Sequence, residues 1–179
     1  TLTTGEMEVV HIEGDEQRLK EIAVVTSTAT QEGDSFSGSP TEIALARFVQ
    51  TSSVDDIRVL HELPFDSARK FKAARVEGRG VRTLFVVGAP DILFERLDIT
   101  DQVRAQWIER TQELASEGLR ILLVCEREDE SSQESLLPEM VTDLSVVGLL
   151  GLEDPPRASS QETVAQARAA GLRPVMITG

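Results

Sequence analysis

Phe65, Lys70 and Lys72 are the residues whose types and spacing are best suited to holding a ligand. The chain has three lysines, and two of them stand at alternate positions shortly after Phe65. Alternate residues of a strand share a face, so both ammonium groups would lie beside the aromatic ring and could meet phosphates as point charges. A core position for Phe65 and a solvent-exposed position for Lys72 are the ordinary alternatives.

A second candidate wall is the stretch "LFVVGAPDIL" at 84–93, where an apolar run breaks into Gly88, Ala89 and Pro90. Small residues at the end of a strand allow another group to approach the backbone closely. The pattern therefore indicates a turn whose backbone another group can approach closely.

Composition excludes several function classes. The 179 residues are 40% hydrophobic, enough for one substantial core, and the net charge of -13 disfavours contact with nucleic acid or an anionic membrane surface. The single cysteine, Cys125, and the two histidines predict no disulfide and no zinc site, as expected in a reducing cytosol. No apolar run approaches the ~18 residues of a transmembrane helix. We expect a water-soluble piece with no metal site of its own.

The elements that must position these residues begin with a strand at 7–13 and two helices. The first helix carries an apolar stripe consisting of Leu19, Ile22, Ala23 and Thr26. A polar loop at 30–38 follows, and then Ser39, Pro40 and Glu42 form a capping-box start for the second helix.

The middle of the chain changes to strand periodicity. Three strands are predicted, at 56–65, 69–76 and 81–87, and a four-residue hairpin loop, Glu77 to Gly80, separates the last two. We expect an antiparallel sheet here.

The second half begins with a helix at 100–118 and a buried strand at 119–127. On the helix, Thr100 is the cap, Gly118 is the stop, and one side presents Val103, Trp107, Thr111 and Leu114. After an acidic loop at 126–139, the pattern predicts a strand at 143–153, a helix with a capping box at Ser159 and Glu162, and a strand at 174–178. This tail reads as a strand–helix–strand unit with parallel pairing, which suggests a domain boundary near 145–150.

Six phrases give the chain a family resemblance. They are "TLTTGEM" at 1–7, "SPTEIAL" at 39–45, "PFDSARK" at 64–70, "GAPD" at 88–91, "EDPPR" at 153–157 and "MITG" at 176–179. In this order they resemble the P-type cation-transporting ATPases. The resemblance implies an α+β fold, an antiparallel sheet flanked by helices, joined to a haloacid-dehalogenase-like phosphorylation domain.

The resemblance also implies a division of the chain: a phosphorylation-domain stub at 1–8, a nucleotide-binding (N) domain at 9–146, and a hinge with a second stub at 147–179. The family's phosphorylated Asp lies in the phrase D-K-T-G-T-L-T-T, so we expect it upstream of Thr1 and expect no catalytic residue in this piece.

The implied function is ATP binding, with delivery of the γ-phosphate to that Asp. In the parent protein this would use Mg²⁺ and would couple ATP hydrolysis to cation transport. The implied partners are ATP and the phosphorylation, actuator and membrane domains of the same parent chain, which would place this domain on the cytoplasmic side of a plasma (inner) membrane.

Family roles carry over to seven positions for ATP. Phe65 matches the aromatic that stacks on adenine, and Glu42 matches an acid near the adenine amino group, although its capping-box position is an alternative explanation. The other five ATP-binding residues implied by the resemblance are Ser67, Lys70, Gly88, Ala89 and Arg127. For Arg127, pairing with Glu126 or Glu128 is the alternative to phosphate contact. Four further residues match hinge and phosphorylation-domain positions: Asp154, Arg157, Thr178 and Gly179.

The chain departs from the family at Val87, where the phrase K-G-A-P-E has Lys. We expect weaker phosphate contact from this strand, more reliance on Lys70 and Arg127, and tighter ATP binding by a Val87→Lys variant.

Two other functions remain open at this point. A free-standing haloacid-dehalogenase-like phosphatase would need a nucleophilic Asp in a D-x-D-x-T-like strand end, which the sequence lacks. A non-catalytic interaction module is compatible with the composition, whereas a P-loop NTPase is excluded because no G-x-x-x-x-G-K-[ST] motif occurs.

Overall fold

The computed structural model describes residues 2–33, 35–49, 56–131 and 135–175. Its strands are β1 (Glu8–Gly14), β2 (Thr30–Glu32), β3 (Ser35–Ser37), β4 (Ile57–Leu63), β5 (Phe71–Gly78), β6 (Val81–Gly88), β7 (Arg120–Glu128) and β8 (Ser145–Glu153). Its α-helices are α1 (Glu16–Thr26), α2 (Pro40–Phe48), α3 (Pro90–Leu93), α4 (Asp101–Ser116) and α5 (Ser160–Ala169).

Six strands form the main sheet in the order β1-β8-β7-β6-β5-β4, and β2 and β3 form a separate hairpin. Every neighbouring pair in the main sheet is antiparallel. The predicted α+β class and the three antiparallel strands in the middle of the chain are confirmed.

Helices cover both faces of this sheet. One apolar cluster joins α1 and α2 to one face of the central strands, and a second joins the segment 93–97, α4 and the loop 136–144 to the other face. Leu84, Phe85, Val86 and Val87 are all buried because alternate residues of β6 contribute to opposite clusters. A strand covered on both sides has an unbroken apolar sequence, as this one does.

The first two helices begin where the sequence predicts. The Asp15 carboxylate caps α1, and all four residues of the predicted stripe on this helix are buried. Ser39 caps α2 by accepting a hydrogen bond from the backbone N–H of Glu42, with Pro40 at the first helical position. The two helices therefore present apolar faces to the sheet, as amphipathic patterning requires.

The hairpin between β5 and β6 is tighter than predicted. Glu77 and Gly78 are paired with Arg82 and Val81, so the loop contains only Arg79 and Gly80. Both loop residues have positive φ, 54° and 79°. A two-residue turn of this kind matches the right-handed twist of the strands better than a longer open loop.

The predicted parallel pairing in the tail is wrong. β8 lies inside the antiparallel sheet, between β1 and β7. A buried strand looks equally apolar in either orientation, so the sequence could not distinguish them. The strand predicted at 174–178 lies mostly outside the described residues, and 174–175 are not in a strand. The proposed boundary at 146/147 falls within β8, and the division into domains remains a prediction.

Two details of the later helices also differ. Val103 of α4 is exposed, whereas Leu114 is buried as predicted. The Ser159 side chain forms no capping bond at the start of α5, because Ser159 has an αR backbone instead of the extended one that caps adopt. None of the helices in the described part of the chain combines the length and apolar character needed to cross a bilayer.

Candidate functional site

A cleft opens where α2 faces the turn before β5, the end of β6 and the start of β7. Its volume is about 650 Å³, within the usual range for small-molecule sites. Five residues from the sequence prediction line this cleft: Glu42, Phe65, Lys70, Gly88 and Ala89. The fold therefore gathers side chains from segments that are distant in sequence.

Glu42 does not complete the predicted capping box. Its carboxylate turns away from the start of α2 and accepts hydrogen bonds from the backbone N–H of Thr28 at 2.9 Å and from the Ser27 hydroxyl at 3.3 Å. Lys72 donates a further bond at 2.7 Å. Glu42 is buried, and its side chain forms part of the cleft wall.

Lys72 is not exposed to solvent, so that alternative for this residue is excluded. Its side chain is 5% exposed, and its ammonium forms an ion pair with Glu42. The residue belongs to β5, and its side chain lies on the face of the sheet that α1 and α2 cover. The ammonium therefore meets the Glu42 carboxylate of α2. Burial lowers the pKa of Lys72, and the attraction and hydrogen bond of Glu42 oppose that shift. The sequence placed Lys72 beside Phe65 as a possible phosphate contact, but it gave no indication of the ion pair with Glu42.

Phe65 is 57% exposed although it is a large apolar residue. It follows Pro64 in the connection between β4 and β5, and both residues line the cleft. A core position, the alternative left open by the sequence, is therefore excluded. An aromatic face held at the mouth of a cleft is available to stack on a flat ligand.

Lys70 lies just before β5, with a φ of 58°. The turn preceding it is held by the Asp66 carboxylate, which accepts bonds from the backbone N–H groups of Ala68 and Arg69. The Lys70 ammonium pairs with Asp91 at 3.0 Å. Ser67 is exposed in the same turn and does not line the cleft.

Gly88 has a packing role in addition to its place in the cleft. A Cβ atom added to Gly88 would lie 2.4 Å from Cβ of Phe71 and 2.8 Å from the carbonyl oxygen of Lys70. The close approach of β5 therefore requires the absence of a side chain at Gly88, a packing reason that the sequence did not suggest. The next residue, Ala89, donates its backbone N–H to that same carbonyl at 2.9 Å.

Arg127 is not brought to the cleft. It lies near the end of β7, where it donates to the carbonyl of Thr142 at 2.8 Å and lies near Asp129. Arg120, at the start of the same strand, lines the cleft instead and donates to the Thr41 hydroxyl at 3.2 Å. β7 runs antiparallel to β6, so its first residues face the end of β6, where Gly88 lies.

Comparison with known proteins identifies this arrangement. Residues 16–159 match the family model described as "P-type ATPase, cytoplasmic domain N". The chain belongs to the P-type ATPase family.

Three curated relatives of this P-type ATPase chain are calcium-transporting ATPases. Calcium-transporting ATPase 1 of Lactococcus lactis is 30% identical, with 99% of this chain and 22% of the relative aligned. The Listeria monocytogenes protein is 32% identical over 92% of this chain and 21% of its own length. The Bacillus subtilis protein is 33% identical over 79% of this chain and 18% of its own length. The chain thus spans about a fifth of these relatives.

In this P-type ATPase chain, the segments 2–5 and 154–157 lie against each other, and none of their residues lines the cleft. Thr4 donates its backbone N–H to the carbonyl of Pro155, and Arg157 donates its own to the carbonyl of Leu2. The Asp154 carboxylate accepts from the N–H of Gly5 at 2.9 Å and the hydroxyl of Thr4 at 3.2 Å. Hydrogen bonds, chiefly from the Thr3 side chain, lower the pKa of Asp154.

The remaining predicted positions cannot be placed on this P-type ATPase fold. Thr178 and Gly179 lie outside the described residues.

Within the described ranges, no group of three or more His, Cys, Asp or Glu side chains is arranged to hold a metal ion.

Proposed function

We propose that this chain binds ATP in the cleft and, as the nucleotide-binding domain of a cation-transporting P-type ATPase, presents the γ-phosphate to a phosphorylatable Asp of the parent protein. The observation that carries the proposal is the exposed ring of Phe65 at the mouth of a cleft whose wall holds the buried Glu42 carboxylate. An aromatic platform beside a hydrogen-bond acceptor suits the adenine ring and its amino group.

The cations of the cleft support the triphosphate end of this proposal. Lys70 and Arg120 are both exposed and line the cleft. Exposed cations are accessible to the phosphates of a bound ligand, and Arg can pair with them through two parallel hydrogen bonds. Lys70 already pairs with Asp91, so Arg120 has the weaker competing partner, the Thr41 hydroxyl.

Mg²⁺ belongs to the proposal only in the parent protein. The Glu42 carboxylate already accepts from three protein donors, which makes it a poor metal ligand. We propose that the ion arrives with the phosphates of ATP and is held with groups of the phosphorylation domain. The actuator and membrane domains of the parent are the further partners, and the names of the relatives make Ca²⁺ the first transported ion to test.

The hinge residues have a proposed role of their own. Asp154 and Arg157 connect the two chain segments that would lead to the phosphorylation domain, through contacts with Thr4, Gly5 and Leu2. Holding both segments together would let the domain swing as one body. Thr178 and Gly179 remain proposed members of the phosphorylation site.

Calorimetric titration of ATP into wild type and Phe65→Ala tests the proposal. Loss of a stacked base costs about 1–3 kcal/mol, so affinity should fall at least about fivefold. Val81→Ala is a matched control, because Val81 is also exposed and apolar but lies at the opposite end of β6. Equal affinities for wild type and Phe65→Ala would exclude this site.

A further inference from the structure

Lys72 is an unusual residue for the wall of a cleft. Lys is among the residue types least often buried, and desolvating an ammonium is costly unless a partner compensates it. Here the side chains of Lys72 and Glu42 are 5% and 11% exposed, and their charged atoms lie 2.7 Å apart. The two charges sum to zero, so the pair is a neutral, polar patch in a wall that also contains Leu45 and Val87.

The hydrogen-bonding capacity of the pair is only partly used by the protein. Glu42 Oε2 accepts from Thr28 and Ser27, whereas Oε1 accepts from Lys72. An ammonium has three N–H donors and each carboxylate oxygen has two lone pairs. Among the described residues, Lys72 donates one recorded bond. One acceptor position on Oε1 and two donors on Lys72 therefore remain, side by side.

We propose that Lys72 determines base specificity by donating a hydrogen bond to the ring nitrogen of adenine that adjoins its amino group, while Glu42 accepts from that amino group. This assignment deepens the proposed ATP site and rests on it. Adenine carries an acceptor nitrogen, N1 or N7, on either side of its amino group, and thus offers the complementary donor and acceptor next to each other.

Burial distinguishes this role from phosphate binding. The Lys72 charge is already balanced by Glu42 and has little contact with water. A triphosphate brings several negative charges, which are better met at the exposed ammonium of Lys70, 49% accessible, and at exposed Arg120. An uncharged heterocycle matches a neutral donor–acceptor pair without adding a net charge to the buried wall.

The test is a calorimetric cycle with ATP and two analogues in which C–H replaces N1 or N7. Wild type should bind one of the two analogues about tenfold more weakly than ATP, the effect expected for losing a hydrogen bond to a charged group. Lys72→Met, of similar length but uncharged, should lower ATP affinity to about that of the weaker analogue and should no longer discriminate between them.

Lys20→Met is the matched control, because Lys20 forms a surface ion pair with Glu16 and does not line the cleft. This variant should keep wild-type affinity and discrimination. Circular dichroism establishes whether Lys72→Met folds; if it does not, the analogue titrations of wild type still decide the question. Equal binding of ATP and both analogues to wild type would overturn the assignment.

Three further results also separate the possibilities. If Lys72→Met weakens ATP but leaves adenosine binding unchanged, Lys72 contacts phosphate and the base assignment is wrong. If wild type binds no ATP, the proposed function itself fails. If ATP binding depends on Phe65 but discrimination survives Lys72→Met, only the role of Lys72 fails.

Discussion

Lys72 lies directly opposite Val87 in the antiparallel ladder between β5 and β6. Opposed residues of such a ladder have Cβ atoms about 4.5–5.5 Å apart and share one face of the sheet. The family phrase that this chain resembles has its Lys at the position of Val87. The chain therefore keeps a cation in this part of the wall, on the neighbouring strand.

This relationship reverses an expectation from the sequence. Val87→Lys should not tighten ATP binding, and it should lower the melting temperature, because a second ammonium would be buried beside that of Lys72 with no second carboxylate to compensate it. Thermal melts and ATP titrations check this. The double variant, Val87→Lys with Lys72→Met, should lie closer to wild type in both measurements than Val87→Lys alone. Tighter ATP binding by Val87→Lys would mean that Lys72 does not replace the cation that the family phrase has at the position of Val87.

Arg120→Ala and Arg127→Ala form a matched pair on one strand. The residues are seven positions apart on β7, which at about 3.3 Å per residue separates them by about 23 Å. Arg120→Ala should weaken ATP binding about tenfold, the usual effect of losing a charge-assisted hydrogen bond, whereas Arg127→Ala should leave it unchanged. Titration of both variants with ATP decides whether the ATP-binding arginine is Arg120, which lines the cleft, or Arg127, which the family resemblance implies.

Gly88→Ala separates packing from ligand space. The added methyl group would contact Phe71 at the start of β5 and the carbonyl oxygen of Lys70 just before it, so the free energy of unfolding should fall by about 1–3 kcal/mol. Urea denaturation without ligand measures this loss. If instead the variant were as stable as wild type and failed only to bind ATP, Gly88 would serve the ligand, as the sequence suggested.

The buried pair formed by Arg75 and Asp129 should make stability depend on acid pH. Their charged atoms are 2.7 Å apart, with side chains 1% and 3% exposed. Burial alone would raise the pKa of Asp129, but hydrogen bonds from Arg75 and from the backbone of Ser131 outweigh it, and the pKa lies below its usual value. A lowered folded-state pKa gives stability that is complete above the unfolded pKa of about 4 and is lost as pH falls further.

Asp129→Asn isolates that contribution. At pH 7 the free energy of unfolding of the variant, measured by urea denaturation, should be about 3–5 kcal/mol lower than that of wild type, because a buried pair is broken. This difference should shrink below about pH 4. Glu77→Gln is a suitable control, because Glu77 pairs with Arg58 and Arg82 on the surface, where ion pairs contribute little. A gap between wild type and Asp129→Asn that stays constant down to pH 2 would contradict this account.

Local patterns determined much of this protein in advance. The stripe on α1 and the start of α2 at Ser39 depend on contacts within one or two helical turns, so the sequence alone fixes them. The strands between 57 and 87 follow from their period and from the turn residues Glu77 to Gly80, although the structure shortens that loop to Arg79 and Gly80. The roles of Phe65 and Lys70 came from the family resemblance of the phrase at 64–70, which is recognisable because its residues are close together along the chain.

Only the tertiary structure decided the rest, because it depends on which distant segments meet. The pairing of β8 with β1 and β7 is one such case, since apolar content carries no strand direction. The antiparallel register of β6 and β7 is another: it places Arg120 toward the end of β6 that carries Gly88, and Arg127 toward the other end. Most consequential is the meeting of Glu42 on α2 with Lys72 on β5, 30 residues apart, which forms one buried pair in the wall of the cleft and excludes the capping and surface positions that the sequence left open.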